Sequence, residues 1–154
     1  MNGSPYDFAI LGAGLTGLGA AMYAGRLNLG TVVIGNAGER SAAQDIGGTI
    51  TLTDVVENYP GFIRLTGEEL AQELEAHARS YPLVEIKNTW VNKIDREKGC
   101  FSLYLDREVI QASTLLFATG PGTGSWRFQG TTSSETRACS TVRSATGLCT
   151  RRRS

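Results

Sequence analysis

One stretch near the amino end restricts what this chain can fold into: Asp7-Phe8-Ala9-Ile10-Leu11-Gly12-Ala13-Gly14-Leu15-Thr16-Gly17. An apolar run, read as a buried strand, gives way to glycines at G-x-G-x-x-G spacing, and a helix-forming segment follows. Each glycine has a separate task. Gly12 permits a sharp strand-to-helix turn, Gly14 lets a pyrophosphate approach the backbone, and Gly17 lets the helix pack closely on the strand. The helix start then offers its free N–H groups and the positive end of its dipole to the phosphates.

The helix is expected from about Leu15 to Leu29, with Gly30 as its C-cap. Leu15, Leu18, Met22 and Leu29 fall near helical spacing, and Gly19, Ala20, Ala21 and Ala24 are small enough for close packing on a sheet. Thr31-Val32-Val33-Ile34 reads as a second buried strand, parallel to the first, which completes a right-handed βαβ unit. A dinucleotide fold places an acid about 20 residues past the turn to hold the adenosine ribose. Gly35-Asn36 stand there instead, and Glu39 reads as a solvated loop carboxylate.

Further along, the paired glycines of Gly47-Gly48-Thr49 allow close backbone approach to a ligand. Val56-Glu57-Asn58-Tyr59-Pro60-Gly61-Phe62 carries turn chemistry. A second helix opens with a capping box, Thr66 as N-cap and Glu69 at N3, and runs to about Ser80. Leu70, Leu74, His77 and Ala78 share one face, so His77 is expected as a half-buried helix residue rather than a catalyst. From Val84 the period becomes two. Val84–Lys87, Thr89–Asp95, Phe101–Leu105 and Glu108–Gln111 read as short strands of an antiparallel meander. Thr114-Leu115-Leu116-Phe117-Ala118-Thr119-Gly120 reads as another buried apolar strand ending in a glycine turn.

A chain of 154 residues is one domain's worth. Its net charge is zero, so nothing at the level of the whole chain points to nucleic acid or a membrane surface. There is no long apolar run for a transmembrane helix and no basic segment followed by a cleavable apolar one. Cys100, Cys139 and Cys149 form neither a C-x-x-C nor a metal-ligand spacing. No metal site is expected, Cys100 is expected as a packed thiol, and the expected compartment is the cytoplasm.

Together these residues resemble the flavoprotein pyridine-nucleotide disulfide oxidoreductases, in particular the small thioredoxin reductases; the FAD subunit of alkyl hydroperoxide reductase is similar. The carriers are Gly12–Gly17, Gly47-Gly48, the V-E-N-Y-P-G-F run at 56–62, and Ala118-Thr119-Gly120. The V-E-N-Y-P-G-F run is the most specific of them, and the resemblance covers residues 6–120. It implies an α/β, Rossmann-like FAD/NAD(P)-binding domain of three layers, ββα, with a parallel sheet and a small antiparallel meander. Residues 6–120 are expected to be an incomplete part of it. The resemblance implies that Gly12, Gly14, Leu15 and Thr16 meet the FAD pyrophosphate. Gly35 stands where the ribose acid would be, an acid that the small thioredoxin reductases often lack too. Gly47, Gly48, Thr49 and Asn58 would lie along the ribityl chain and isoalloxazine. Val91 would offer its backbone to the adenine, and Ala118, Thr119 and Gly120 would pass beside the cofactor. The family enzyme passes a hydride from NADPH to FAD, then electrons to a redox-active C-x-x-C and on to thioredoxin, and it is a homodimer.

Residues 121–154 differ from the rest. Residues 1–120 carry nine basic and fourteen acidic side chains, a net of −5; residues 121–154 carry six Arg and only Glu135, a net of +5. The tail has thirteen Ser and Thr, no Lys, and only Trp126, Phe128, Val142 and Leu148 as large apolars. That is too little to offset the entropy of ordering it. It reads either as a disordered basic tail or as an out-of-frame translation. Permitted codons for the tail, read from their third base onward, give G-H-R-K-L-E-V-P-G-D-D-E-F-G-N-K-G-V-F-Y-C-A-I-C-D-G. This resembles the missing family segment, with its redox C-A-I-C-D-G. In that reading Cys139 and Cys149 are accidents, no catalytic residue is present, and the product is a truncated, inactive member of the family. Two alternatives stand beside it: a small stand-alone FAD- or nucleotide-binding module, and a ferredoxin–NADP reductase-like flavin oxidoreductase of the same fold.

Overall fold

The computed structural model describes residues 5–35, 46–97 and 99–120. The expectations for Asn36, Glu39 and the whole of 121–154, including Cys139 and Cys149, lie outside the described residues. In chain order the elements are β1 (Tyr6–Leu11), α1 (Leu15–Arg26), β2 (Thr31–Gly35), a 3-10 turn (Gly48–Leu52), α2 (Gly67–Arg79), β3 (Val84–Asn88), β4 (Val91–Glu97), β5 (Cys100–Leu105) and β6 (Val109–Phe117). The strand order is β3-β2-β1-β6-β5-β4.

The order hides a change of layer. β3, β2, β1 and the second half of β6 run parallel, while β4, β5 and the first half of β6 form an antiparallel meander. Ala112 is the crossing point, pairing with Phe101 of β5 on one side and Tyr6 of β1 on the other. It is fully buried. The two apolar clusters confirm the layering. Ala9, Leu11, Val32 and Ile34 point toward the meander and pack with Leu103, Leu105 and Ile110. Ile10 and Val33 point the other way and pack with Leu18, Ala21 and Ala78 of the helices. Buried on both faces, β1 and β2 need near-continuous apolar runs. The expected three-layer ββα arrangement is present.

Four expectations are corrected. β3 is not part of the meander but the parallel edge partner of β2. It alternates because Val84 and Ile86 pack against the helix layer, while Glu85 and Lys87 join an ionic string on the other face. The segments read as Glu108–Gln111 and Thr114–Gly120 are one strand, β6. Its end is not fully buried: Phe117 is 43% exposed, because the β5 pairing stops at Ala112. α1 ends at Arg26, three residues before Leu29, with Asn28 in the left-handed region at φ 58°, which asparagine tolerates. Gly30 therefore caps no helix. Its N–H donates to Asp7 Oδ2 at 2.8 Å, and its carbonyl accepts from the Asp7 and Phe8 amides.

α2 forms as its capping box requires. The Glu69 N–H donates to Thr66 Oγ1 at 3.1 Å and the Thr66 N–H donates to Glu69 Oε2 at 2.7 Å. His77 is exposed and stacks on Tyr81, with ring centroids 6.0 Å apart. That is the fourth correction: only Leu70, Ala78 and, in part, Leu74 of the proposed face turn inward. Cys100 is half-buried, with Sγ 3.4 Å from the Ala112 carbonyl oxygen.

A polar string closes the meander side of the edge strand. The Tyr6 hydroxyl donates to Glu85, Lys87 Nζ lies 3.1 Å from Glu85 Oε1, and the same Nζ donates to Glu108 at 2.7 Å. Burial, then the Glu85 contact, pushes the Tyr6 phenol up from 10.0 to about 12. The Tyr6 hydrogen bond holds the Glu85 carboxyl below its ordinary value. The signs follow from linkage. The raised phenol contributes stability that is complete below its ordinary pKa and is lost as pH climbs toward about 12. The lowered Glu85 carboxyl contributes stability present above the ordinary carboxylate range and lost as pH falls through its folded value. Chemical denaturation across pH should therefore show both limbs. Tyr6→Phe should flatten the alkaline one and cost about 1 kcal/mol at neutral pH; an unchanged alkaline limb in that variant would contradict the assignment.

Candidate functional site

The β1–α1 turn is held from three sides. The Gly12 N–H donates to the Ile34 carbonyl of β2 and the Ala118 N–H to the Leu11 carbonyl, each at 2.8 Å. Gly12 lies at φ 113°, and a Cβ there would fall 2.2 Å from the Ala118 carbonyl oxygen. A Cβ on Gly17 would lie 1.8 Å from the Gly12 carbonyl oxygen. So the first and third glycines of the motif are demanded by the protein's own backbone, one by β6 and the other by the turn beneath the helix. The second is different. A Cβ on Gly14 would meet only the Gly47 carbonyl oxygen, at an ordinary 3.6 Å. No tight protein contact requires glycine at 14, which leaves its face for a ligand.

The neighbouring segments converge on that position. Gly14 and Gly47 form a parallel bridge, and the Gly47 N–H donates to the Ala13 carbonyl at 2.7 Å. Gly48 follows, and a Cβ on it would stand 3.5 Å from Gly14 Cα. Gly35 at the end of β2 is packed directly on Ala13, whose Cβ would be 2.3 Å from a Cβ at 35. The Thr89 N–H donates to the Gly35 carbonyl at 2.9 Å. The C-terminal ends of β1, β2 and β6 thus meet at one cup, the position where open α/β sheets bind ligands.

Electrostatically the cup is set for an anion. α1 begins at Leu15 with Gly14 as N-cap, no side chain caps it, and no acid occupies its first turn. The first helical bond is Leu18 N–H to Gly14 carbonyl, at 2.9 Å, so the amides of Leu15, Thr16 and Gly17 have no helical acceptor. α2 has both a full capping box and two acids, Glu68 and Glu69, in its first turn. One chain satisfies one helix start internally and leaves the other bare. Bare amides at the positive end of a helix dipole hold phosphate oxygens.

The structure thus brings together Gly12, Gly14, Leu15, Thr16, Gly35, Gly47, Gly48 and Ala118. Thr49 is exposed on the 3-10 turn beside Gly48, and Thr119 and Gly120 continue, exposed, past Ala118. Val91 opens β4 just after the Thr89 contact with Gly35, half-buried against the meander core. Asn58 is not tied to the cup. It is exposed on a loop closed by the Val56–Leu65 bridge and makes no hydrogen bond among the described residues. Two residues to which the sequence reading gave no site role matter: Ala13, which seats Gly35 and accepts from Gly47, and Thr89, which ties the β3–β4 connection to β2. The small side chain between two glycines was the available signal for Ala13; Thr89 had none. Among the described residues no group of His, Cys, Asp and Glu could hold a metal ion, and no helix is long and apolar enough to cross a membrane.

The glycines of α1 make a paired test. A Cβ on Gly19 would meet nothing within 4 Å. Gly19→Ala should raise stability by about 0.5–1 kcal/mol through helix propensity. Gly17→Ala, two residues earlier, should lower it by about 3 kcal/mol through the Gly12 clash. Urea denaturation of both variants checks this, and equal effects would contradict the packing described.

Comparison with known proteins agrees with this geometry. The family model described as pyridine nucleotide-disulphide oxidoreductase matches residues 6–152. The thioredoxin reductase of Mycoplasma genitalium is 39% identical over 117 residues, covering 75% of this chain and 34% of that protein. That of Mycoplasma pneumoniae is 38% identical over 120 residues, with the same coverage. Among solved structures, Streptococcus pyogenes thioredoxin reductase superposes with a TM-score of 0.68 at 29% identity, over 84% of this chain and 39% of that one. A ferredoxin-flavin thioredoxin reductase from Clostridium acetobutylicum gives 0.66 at 27% identity, over 80% and 40%. The chain spans about a third of the length of the curated relatives it matches.

Proposed function

The chain belongs to the pyridine nucleotide-disulphide oxidoreductase family, and from that premise we propose that residues 6–120 are the first part of an FAD-binding domain of thioredoxin reductase type. The observation that carries the reading is the bare start of α1 over Gly14, closed in by Gly47. The residues present fit a dinucleotide pyrophosphate: uncapped amides, a glycine that no tight protein contact demands, and no acid in the first turn. Leu15 and Thr16 would hold the pyrophosphate through their amides, Gly47, Gly48 and Thr49 would flank the chain leading to the flavin, and Ala118–Gly120 would line its far side. FAD, when bound, supplies the hydride and electron chemistry. In the complete family enzyme the donor is NADPH, the acceptor thioredoxin or a similar small redox protein, and the assembly a homodimer.

This chain carries no C-x-x-C and no second G-x-G-x-x-G. On this reading it has no disulfide reductase activity of its own and binds FAD weakly. The half-exposed end of β6 supports an incomplete domain, since Leu115, Leu116 and Phe117 are residues of a strand meant for burial on both faces. Equilibrium dialysis with FAD tests the cup. Gly14→Ala should lower stability only modestly, by the roughly 1 kcal/mol or less that separates Gly from Ala at an N-cap, and weaken FAD binding about tenfold. No binding by the parent chain at millimolar FAD would overturn the cup. A purified sample that is already yellow and oxidises NADPH would overturn the partial-domain reading.

Residues 121–154 we propose to be an out-of-frame translation, on their composition and on the C-A-I-C-D-G run that permitted codons give in the shifted frame; the family-model match to residue 152 stands against it. Reading the gene beyond codon 120 checks it. Two cysteine codons straddling the Thr141/Val142 and Ser144/Ala145 boundaries are expected, and a shifted frame without them would contradict the assignment.

A further inference from the structure

Gly47 walls one side of the cup but belongs to none of the named strands, so its position is set by what lies on either side of it. Toward the cup its N–H donates to the Ala13 carbonyl at 2.7 Å, and it bridges to Gly14. Behind it is α2. A Cβ on Gly47 would lie 2.5 Å from Ala71 Cβ and 2.7 Å from Thr51 Cγ2. Ala71 is buried. α2 cannot draw back freely at this point, because its first turn is tied to the far end of the same 3-10 turn. The Gly67 N–H donates to the Thr53 carbonyl at 2.9 Å, and a Cβ on Gly67 would stand 1.7 Å from the Ile50 carbonyl oxygen. The Thr51 hydroxyl fastens the near end, donating to the Gly48 carbonyl at 2.9 Å. Gly47 is thus held between the β1–α1 turn on one side and two methyl groups, those of Ala71 and Thr51, on the other.

We propose that Ala71 is a positioning residue of the cup: its methyl group sets how far the Gly47 backbone stands from Gly14, and with that the clearance left for a diphosphate over the start of α1. The proposal rests on the reading of that cup as the site of a dinucleotide pyrophosphate. Volume added at a close-packed position is taken up by off-rotamer side chains and backbone shifts. With Gly67 locked against Ile50 and Thr53, the segment free to shift is Gly47, and it shifts toward Gly14, narrowing the face left for the ligand. Ala71 acts through Gly47 and touches no ligand itself. The other buried alanine of the helix gives the contrast. Ala78, two turns further on, is fully buried but belongs to the cluster of Leu18, Ala21 and Val33 in the helix layer, and nothing on Gly47 depends on it.

Equilibrium dialysis of FAD against the full chain tests this, with a thermal melt of each variant alongside. Ala71→Val and Ala78→Val should lower the melting temperature by similar amounts, since each overpacks a buried site. Ala71→Val should also weaken FAD binding about tenfold, whereas Ala78→Val should bind as the parent does. Ala71→Cys adds a single atom and should weaken binding about threefold; it takes the place of the valine variant if that one does not fold. Thr51→Ser removes the second methyl behind Gly47 and keeps the hydroxyl, so adding it to Ala71→Val should give Gly47 room to retreat and recover most of the lost affinity. Parental affinity in the Ala71 variants, with Gly14→Ala still impaired, would overturn the positioning role and leave the cup standing. Equal loss of affinity in Ala71→Val and Ala78→Val would show a merely structural role and overturn the proposal. No binding of millimolar FAD by the parent chain would overturn the cup and the positioning role with it.

Discussion

Everything at the functional end of this fold depends on how closely three backbone segments approach at Gly12. The carbonyl of Gly12 sits beneath the first turn of α1, where even a methyl group at 17 would collide with it. Its α-carbon faces the Ala118 carbonyl, where a Cβ at 12 would collide in turn. β2 and β6 are fastened to the same turn by the Gly12–Ile34 and Ala118–Leu11 hydrogen bonds. The helix is thereby drawn down onto the strand ends, and its amino terminus is fixed over the point where Gly14 and Gly47 meet. The cup is a by-product of that close packing.

The two helix starts differ in how their amides are satisfied. A good N-cap is worth about 1 kcal/mol, and this chain makes one at Thr66 with both hydrogen bonds in place. At Gly14 a glycine N-cap, only a few tenths of a kcal/mol poorer, stands with no side-chain hydrogen bond and no acid in the first turn. Local rules broken without local compensation mark functional positions. The same logic applies to Gly35. A residue with a side chain there would give β2 a better strand former, but Ala13 occupies the space, so the turn's geometry outranks strand propensity.

Much of this was legible in the sequence because the physics is local. The strand–turn–helix unit, the parallel second strand and the Thr66–Glu69 box all follow from residues within a few positions of one another. What the sequence misled on is non-local. Alternation at Val84–Lys87 is the same for a meander strand and for a parallel edge strand with one packed face; only the pairing to β2 decides. Ala112-Ser113 looks like a break between two strands, whereas it is where one strand passes between layers, a role that needs a small buried residue and nothing else local. His77 fell on the apolar face by spacing, yet the helix rolls so that Leu70 and Ala78 carry the contact and the ring stacks outside on Tyr81. At the site, the glycine motif announced the cup. The contribution of Thr89 depends on the β2–β3 register and left no trace in the residue types.

β6 shows how far residues 6–120 go toward a finished domain. Its first half alternates, with Ile110 and Ala112 buried and Val109 and Gln111 exposed, as a meander strand with one wet face should. Its second half, Thr-Leu-Leu-Phe, is apolar without alternation, the pattern of a parallel strand covered on both faces. β1 covers one flank and the helix layer takes Leu116, yet Leu115 and Leu116 are only half-buried and Phe117 is 43% exposed. The residue choice in this strand thus asks for more cover than the described residues provide. That mismatch is physical, independent of any relative, and it falls beside the cup rather than at the far edge.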